Sequence, residues 1–78
     1  MNKTVKIYST ATCPYCLMAK KFLDGKGIVY ENYDVGKDQE KSKEMVDKSG
    51  QMGVPVLDIE GKIIVGFDKN EISKELGI

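Results

Sequence analysis

The chain has no histidine and no tryptophan, and only two cysteines and two prolines among its 78 residues. Without histidine it lacks the usual general base, the Cys–His nucleophilic pair and the commonest metal ligand. Two cysteines cannot complete a four-ligand zinc site within one chain. No charge of either sign is in excess: Lys plus Arg and Asp plus Glu are 12 each, and the formal net charge is zero. Phosphate binding needs a basic footprint, so nucleic acid is not an expected partner. No apolar run approaches the ~18 residues of a membrane span. The stretch MNKTVKIYSTATC has neither the apolar region nor the cleavage site of a secretory signal. A cytoplasmic location without membrane association is therefore expected, and there disulfides are rare unless transient and catalytic. A chain of this length suits one small domain over 1–78, burying roughly 60% of the surface its unfolded form exposes. Any substrate must be small or gripped on the surface.

The pattern of elements is short and regular. KTVKIYS alternates, with Val5 and Ile7 on one face and Lys6 and Tyr8 on the other, and predicts a strand over 3–8. A turn, Ser9 to Thr12, leads to Cys13. From Pro14 to Lys26 the spacing of Tyr15, Met18, Ala19 and Phe22, widened by Leu23, is helical. Pro14 suits the first helical position, Gly25 and Gly27 suit the stop, and Met18 and Phe22 are expected in the core. IVYENYDV, 28–35, is a second strand. Lys37 to Lys48 predicts a surface helix stopped by Gly50, with Met45 and Val46 as a thin apolar stripe and Glu44 pairing with Lys48. Val56 to Ile59 and Lys62 to Gly66 flank the two-residue turn Glu60–Gly61, which predicts a hairpin. Asp68 and Glu71 form a capping box, with Phe67 and Ile72 as its hydrophobic staple. Ile72 and Leu76 share the buried face of this last helix. The order is β-α-β-α-β-β-α. A strand–helix–strand start implies a parallel pair with a right-handed crossover, and the hairpin must add antiparallel strands. The expected fold is α/β, a small mixed four-stranded sheet with helices on both faces.

Cys13 and Cys16 fall where the first strand meets the first helix. With Pro14 as the first helical residue, Cys13 is the N-cap. Its sulfur then faces unpaired backbone N–H groups and the positive end of the helix dipole, which favour a thiolate without any histidine. Cys16 lies one turn on, toward Ala19 and Leu23, so Cys13 is expected exposed and Cys16 less so. Cβ atoms at i and i+3 lie about 5–6 Å apart, slightly long for a disulfide's ~3.5–4.5 Å, so a bridge is feasible but somewhat strained. Three readings compete: a redox pair, half of a metal site completed by a second chain, and a structural staple. C-x-x-C at the head of a strand–helix–strand unit favours the redox pair. A staple closing so short a loop would add little stability. The second reading is a carrier of iron–sulfur or zinc that dimerises through Cys13, because such thiolates are good soft-metal ligands.

At this point the chain resembles the glutaredoxin family, a branch of the thioredoxin fold. Cys13-Pro14-Tyr15-Cys16 has the letters of the dithiol motif, and the element order matches over nearly the whole chain. Val54-Pro55 looks like the Val–cis-Pro pair whose backbone meets the substrate. Gly66-Phe67-Asp68 looks like the Gly-x-Asp stretch whose helix start receives the γ-glutamyl carboxylate of glutathione. The resemblance implies Cys13 and Cys16 as catalytic residues. It implies Pro14, Tyr15, Gln51, Val54, Pro55, Gly66, Phe67 and Asp68 as substrate-binding residues, and no metal. It implies thiol–disulfide oxidoreductase activity on disulfide-containing or glutathionylated proteins in a monomer, with no tightly bound cofactor and glutathione as co-substrate. The chain departs from many glutathione-using members at Thr10, where they carry Lys three residues before the first cysteine. It departs again at Gly53, where they carry Thr, at Val65, where they carry a first Gly, and at Lys69, where they carry a second acid. It is also similar to small redoxins that take electrons from a thioredoxin-reductase-type flavoprotein.

Overall fold

The computed structural model describes residues 4–78, in the order β1 (Val5–Ser9), α1 (Pro14–Gly25), β2 (Glu31–Asp34), α2 (Gln39–Ser49), β3 (Val56–Ile59), β4 (Lys62–Val65) and α3 (Lys69–Leu76). The sheet runs β2-β1-β3-β4. β1 pairs parallel with β2 and antiparallel with β3, and β3 pairs antiparallel with β4. This is the mixed sheet the sequence implies, and the fold is thioredoxin-like.

Alternation along β1 and β3 divides the core between the two faces. Val5, Ile7, Leu57 and Ile59 turn to one face and pack with Ala19 and Leu23 of α1 and Ile72 of α3. Phe22, Ile28, Phe67 and Leu76 close the edges of this cluster. Tyr8 and Val56 turn to the other face and pack with Met45 of α2. Burying each Leu or Ile side chain contributes about 1.5–3 kcal/mol, so the larger cluster anchors the sheet.

Local chemistry sets the helix ends. The C-terminus of α1 closes with Ile28 N–H donating to Leu23 O at 3.0 Å and Gly27 N–H to Asp24 O at 3.1 Å. Gly27 supplies the left-handed φ of +70° that this wrap requires. Asp38 caps α2 by accepting Lys41 N–H at 3.1 Å, and Asp68 caps α3 by accepting Glu71 N–H at 3.2 Å. The β3–β4 turn has φ of +52° at Glu60 and +94° at Gly61, the backbone of a type I′ hairpin.

Five details differ from the sequence reading. β1 runs Val5–Ser9 rather than 3–8, and Lys3 lies outside the described residues. β2 is four residues, not eight, because Ile28 belongs to the helix stop and the parallel ladder begins at Lys6–Glu31. The second helix starts at Gln39 because Asp38 is its cap. Met18 is 48% exposed, since the buried line of α1 is Cys16, Ala19 and Leu23 and Met18 lies beside it. Glu44 and Lys48 do not pair directly. Tyr8 donates its hydroxyl to Glu44 Oε2 at 2.5 Å and accepts from Lys48 Nζ at 3.1 Å. Lys48 forms its salt bridge with Asp58 of β3, at 2.7 Å.

Candidate functional site

Strand register brings three loops to one end of the sheet. Tyr8 opposes Val56 in the antiparallel β1–β3 ladder, so the chain leaves β1 toward Cys13 where Val54 and Pro55 enter β3. Val56 opposes Val65, which places Gly66 beside Pro55, and Gly66 N–H donates to Pro55 O at 2.7 Å. Residues 10–13, 54–55 and 66–68 therefore converge.

Cys13 is the N-cap of α1, with extended backbone (φ −91°, ψ 113°) and Pro14 as the first helical residue. Its sulfur accepts the Cys16 backbone N–H at 3.2 Å, one of the donors that a helix start leaves unpaired. On its other side the thiol points to the Val54 carbonyl at 3.9 Å. Cys13 is partly exposed and Cys16 is 1% exposed, as expected, and the two thiols are unbridged. Burial pushes the Cys16 thiol up to about 11, and its hydrogen bond with the Cys13 side chain and the Cys13 charge act in the same direction. The Thr10 backbone and the Lys20 charge pull it partly back. The geometry thus separates an accessible sulfur with a helix-start donor from a proton-retaining sulfur behind it.

The remaining expected site residues are placed as follows. The Val54–Pro55 peptide is cis. Tyr15 is 62% exposed one residue from Cys13, and Pro14 is exposed. Gly66 has a φ of +82°, a backbone that favours glycine. Phe67 packs edge-on against Phe22 with ring centres 6.0 Å apart, and Asp68 caps α3. Gln51 folds onto its own loop: its Oε1 accepts Gly53 N–H at 2.5 Å and its Nε2 donates to Gly53 O at 3.0 Å. A Cβ at position 53 would lie 2.6 Å from that Oε1, so the glycine makes room for the clamp.

The sequence reading offered Val54 as a substrate-binding residue but not its contact with Cys13, and it did not single out Lys20. The Val54 carbonyl meets Cys13 from 41 residues away, a contact only the β1–β3 register creates. Lys20 lines a cleft of about 220 Å³ together with Cys13, Thr10 and Leu17. Its four-residue spacing from Cys16 was the available signal. Among the described residues no three His, Cys, Asp or Glu side chains gather as a metal-binding group. No helix of the described residues is long and apolar enough to cross a membrane.

The glutaredoxin family model matches residues 5–64. The chain is 49% identical over 70 residues to an uncharacterised glutaredoxin-like 8.6 kDa protein of the rubredoxin operon of Clostridium pasteurianum, across 90% of this chain and 93% of that protein. It is 38% identical over 64 residues to glutaredoxin 3 of Escherichia coli K12, across 82% of this chain and 77% of that one. The solved glutaredoxin–glutathione complex of buckwheat superposes with a TM-score of 0.76 at 26% identity, over 96% of this chain and 71% of that one. The chain belongs to the glutaredoxin family. With its cysteine pair, it falls among the thiol oxidoreductases, which act in general on disulfides and glutathione.

Proposed function

We propose that the protein reduces protein disulfides or glutathione mixed disulfides through Cys13 and Cys16, as a cytoplasmic monomer with no tightly bound cofactor. The observation that carries this reading is the Cys13 sulfur, partly exposed and 3.2 Å from the Cys16 N–H, with the buried Cys16 thiol one turn behind. The Cys13 thiolate attacks one sulfur of the substrate disulfide, forming a mixed disulfide and releasing the other sulfur as a thiolate that takes up a proton. Cys16 then loses its proton and attacks Cys13 Sγ. The Cys13–Cys16 bridge forms, and the second substrate thiolate leaves and is protonated. Two glutathione thiols, oxidised to glutathione disulfide, or a thioredoxin-reductase-type flavoprotein return the bridge to the dithiol. With glutathionylated substrates Cys13 alone suffices, because a second glutathione resolves the mixed disulfide.

Substrate binding is assigned by the family pattern and supported by proximity. Val54 and Pro55 offer backbone beside Cys13, Tyr15 and Pro14 offer exposed surface, and Gly66, Phe67 and Asp68 form the start of α3. Gln51 acts through the Gly53 clamp, shaping the loop that carries Val54.

The decisive experiment is disulfide reduction by Cys13→Ser, which should fall to the uncatalysed background. Turnover retained by that variant would end the assignment. Cys16→Ser should keep activity on glutathionylated substrates and lose it on protein disulfides. Supplying NADPH through glutathione and its reductase, or through thioredoxin reductase, then identifies the donor by which system keeps the pair reduced.

A further inference from the structure

The cleft beside Cys13 overlaps the surface that the family pattern assigns to substrate only at Cys13 and Pro14. Thr10, Ala11, Thr12, Leu17 and Lys20 complete its lining, and none of Val54, Pro55, Gly66, Phe67 or Asp68 belongs to it. A thiol lining it has a second flank on which half of a bound disulfide can lie. At about 220 Å³ the cleft is smaller than a drug-sized pocket of ~300–1,000 Å³, and admits one amino-acid-sized group rather than a peptide.

The charge of this flank comes from one residue. Among the described residues lining the cleft, Lys20 is the only lysine, arginine, aspartate or glutamate. No hydrogen-bond or salt-bridge partner of Lys20 is present among the described residues, whereas Lys41 and Lys48 are paired with Glu44 and Asp58. It follows Cys16 by four residues and Leu17 by three, so all three share one side of α1. It is half-buried and lines the cleft together with Leu17 and Cys13. Its field reaches the buried sulfur, because the Lys20 charge favours ionisation of Cys16. An uncommitted cation in a small cleft that also holds the accessible thiol selects for negative charge near the bond being attacked.

We propose that this cleft is a second substrate subsite, for a carboxylate close to the disulfide sulfur, with Lys20 as its positioning residue. It rests on Cys13 being the reacting thiol, as in the proposed function. The carboxylate belongs to a small acidic thiol or to an acidic side chain next to a cysteine in a peptide. Lys20 presents a point charge that needs no particular carboxylate orientation, consistent with a subsite that accepts either source.

The test uses two alkylating reagents of like size and opposite demand, anionic iodoacetate and neutral iodoacetamide, on the reduced intact protein. In both reactions Cys13 Sγ displaces iodide from carbon, forming a C–S bond as the C–I bond breaks. Both consume the thiolate, so the ratio of the two rates cancels any change in how much thiolate is present. Peptide mapping reads Cys13 separately from buried Cys16. Lys20→Gln should lower the iodoacetate-to-iodoacetamide ratio at Cys13 roughly two- to fivefold, the range of an exposed charge pair. Lys20→Arg should retain the ratio, and so should Lys21→Gln, which removes an exposed lysine outside the cleft. The difference should collapse near 1 M salt, where the screening length is about 3 Å. An unchanged ratio in Lys20→Gln, or an equal fall in Lys21→Gln, overturns the subsite.

Disulfide substrates separate this result from the proposed function. A small dicarboxylic disulfide against neutral hydroxyethyl disulfide should show the same dependence on Lys20. Cystine peptides with Glu or Gln beside the cysteine show whether a side chain is accepted as well as a small thiol. Discrimination in alkylation with no disulfide reduced would sustain the cleft and remove the function. Reduction of every disulfide with no dependence on Lys20 would sustain the function and remove the subsite.

Discussion

Replacing Cys13 by Ala should make Cys16 easier to ionise without restoring it to an ordinary thiol. The Cys16 value of about 11 has burial as its leading cause, and burial survives the substitution because Cys16 is 1% exposed within the core side of α1. The hydrogen bond with the Cys13 side chain and the Cys13 charge do not survive it. The midpoint should therefore fall from about 11 and stop above the ordinary value of about 8.5. At pH 7 a midpoint of about 11 leaves a thiolate fraction on the order of 10⁻⁴, and each unit of relief raises it tenfold. The same relief accompanies formation of a mixed disulfide, since a bonded Cys13 sulfur has no charge. Cys16 thus holds its proton more tightly beside the free Cys13 sulfur and gives it up more readily once Cys13 has reacted, which orders the two thiols. NMR of the Cys16 β carbon across the alkaline range measures both midpoints. An unmoved midpoint would refute the ordering, and one at or below the ordinary value would refute burial as the leading cause.

The same shift makes the reduced fold sensitive to alkali. Cys16 is raised in the folded chain, so the folded state keeps a proton that the unfolded state loses. That contribution is fully present below about pH 8.5 and is lost as pH rises through about 11, a change on the order of 3 kcal/mol. Oxidation to the bridge removes both thiols, so the oxidised protein should lack this part of the alkaline loss.

Other expectations test the scaffold. Leu23→Ala, at a fully buried position, should cost about 2–5 kcal/mol, read as a fall in the urea midpoint with unchanged slope. Lys48→Met should cost about 1–3 kcal/mol by leaving Asp58 unpaired, a figure discounted because 30% of the Lys48 side chain remains in water. Burial alone would raise Asp58, but Lys48 and the Gly61 N–H outweigh it and hold the carboxyl below its usual range. The stability that Asp58 contributes is therefore present above about pH 4 and lost in stronger acid, so the gap between parent and Lys48→Met should narrow there. Gly53→Ala should cost about 1 kcal/mol by expelling Gln51 Oε1 from its 2.5 Å hydrogen bond, and should cost almost nothing in a Gln51→Ala background.

Features encoded by neighbouring residues were legible in the sequence. Pro14 after a capping Cys13, the Glu60–Gly61 turn and Asp68 at the head of α3 each act within a few positions, and each lies where spacing implied. Features decided across the sheet were not. The i, i+4 spacing offered Glu44 to Lys48, yet the buried Tyr8 hydroxyl lies between them and Asp58 on β3 takes the ammonium. Helical periodicity offered Met18 to the core, but α1 contacts the sheet along a line narrower than its apolar stripe. At the site, the thiol pair and Val54 were readable, while the contact of the Val54 carbonyl with Cys13 and the place of Lys20 were not, because one depends on register and the other on a cleft.

Register is also the link between packing and chemistry. Tyr8 opposes Val56 because Ile7 and Leu57, both fully buried, must face α1 and α3 together. A slip of one residue in β3 would turn Asp58 toward that apolar cluster and Leu57 away from it. It would also separate Asp58 from Lys48, leaving a buried carboxylate without its cation. The apolar face and the polar pair on the opposite face therefore penalise the same slip. That alignment sets Pro55 beside the end of β1, and with it the distance from Val54 to Cys13. The Cys13 and Val54–Pro55 segments are thus brought together by the core on both sides of the sheet, which already fixes where they meet.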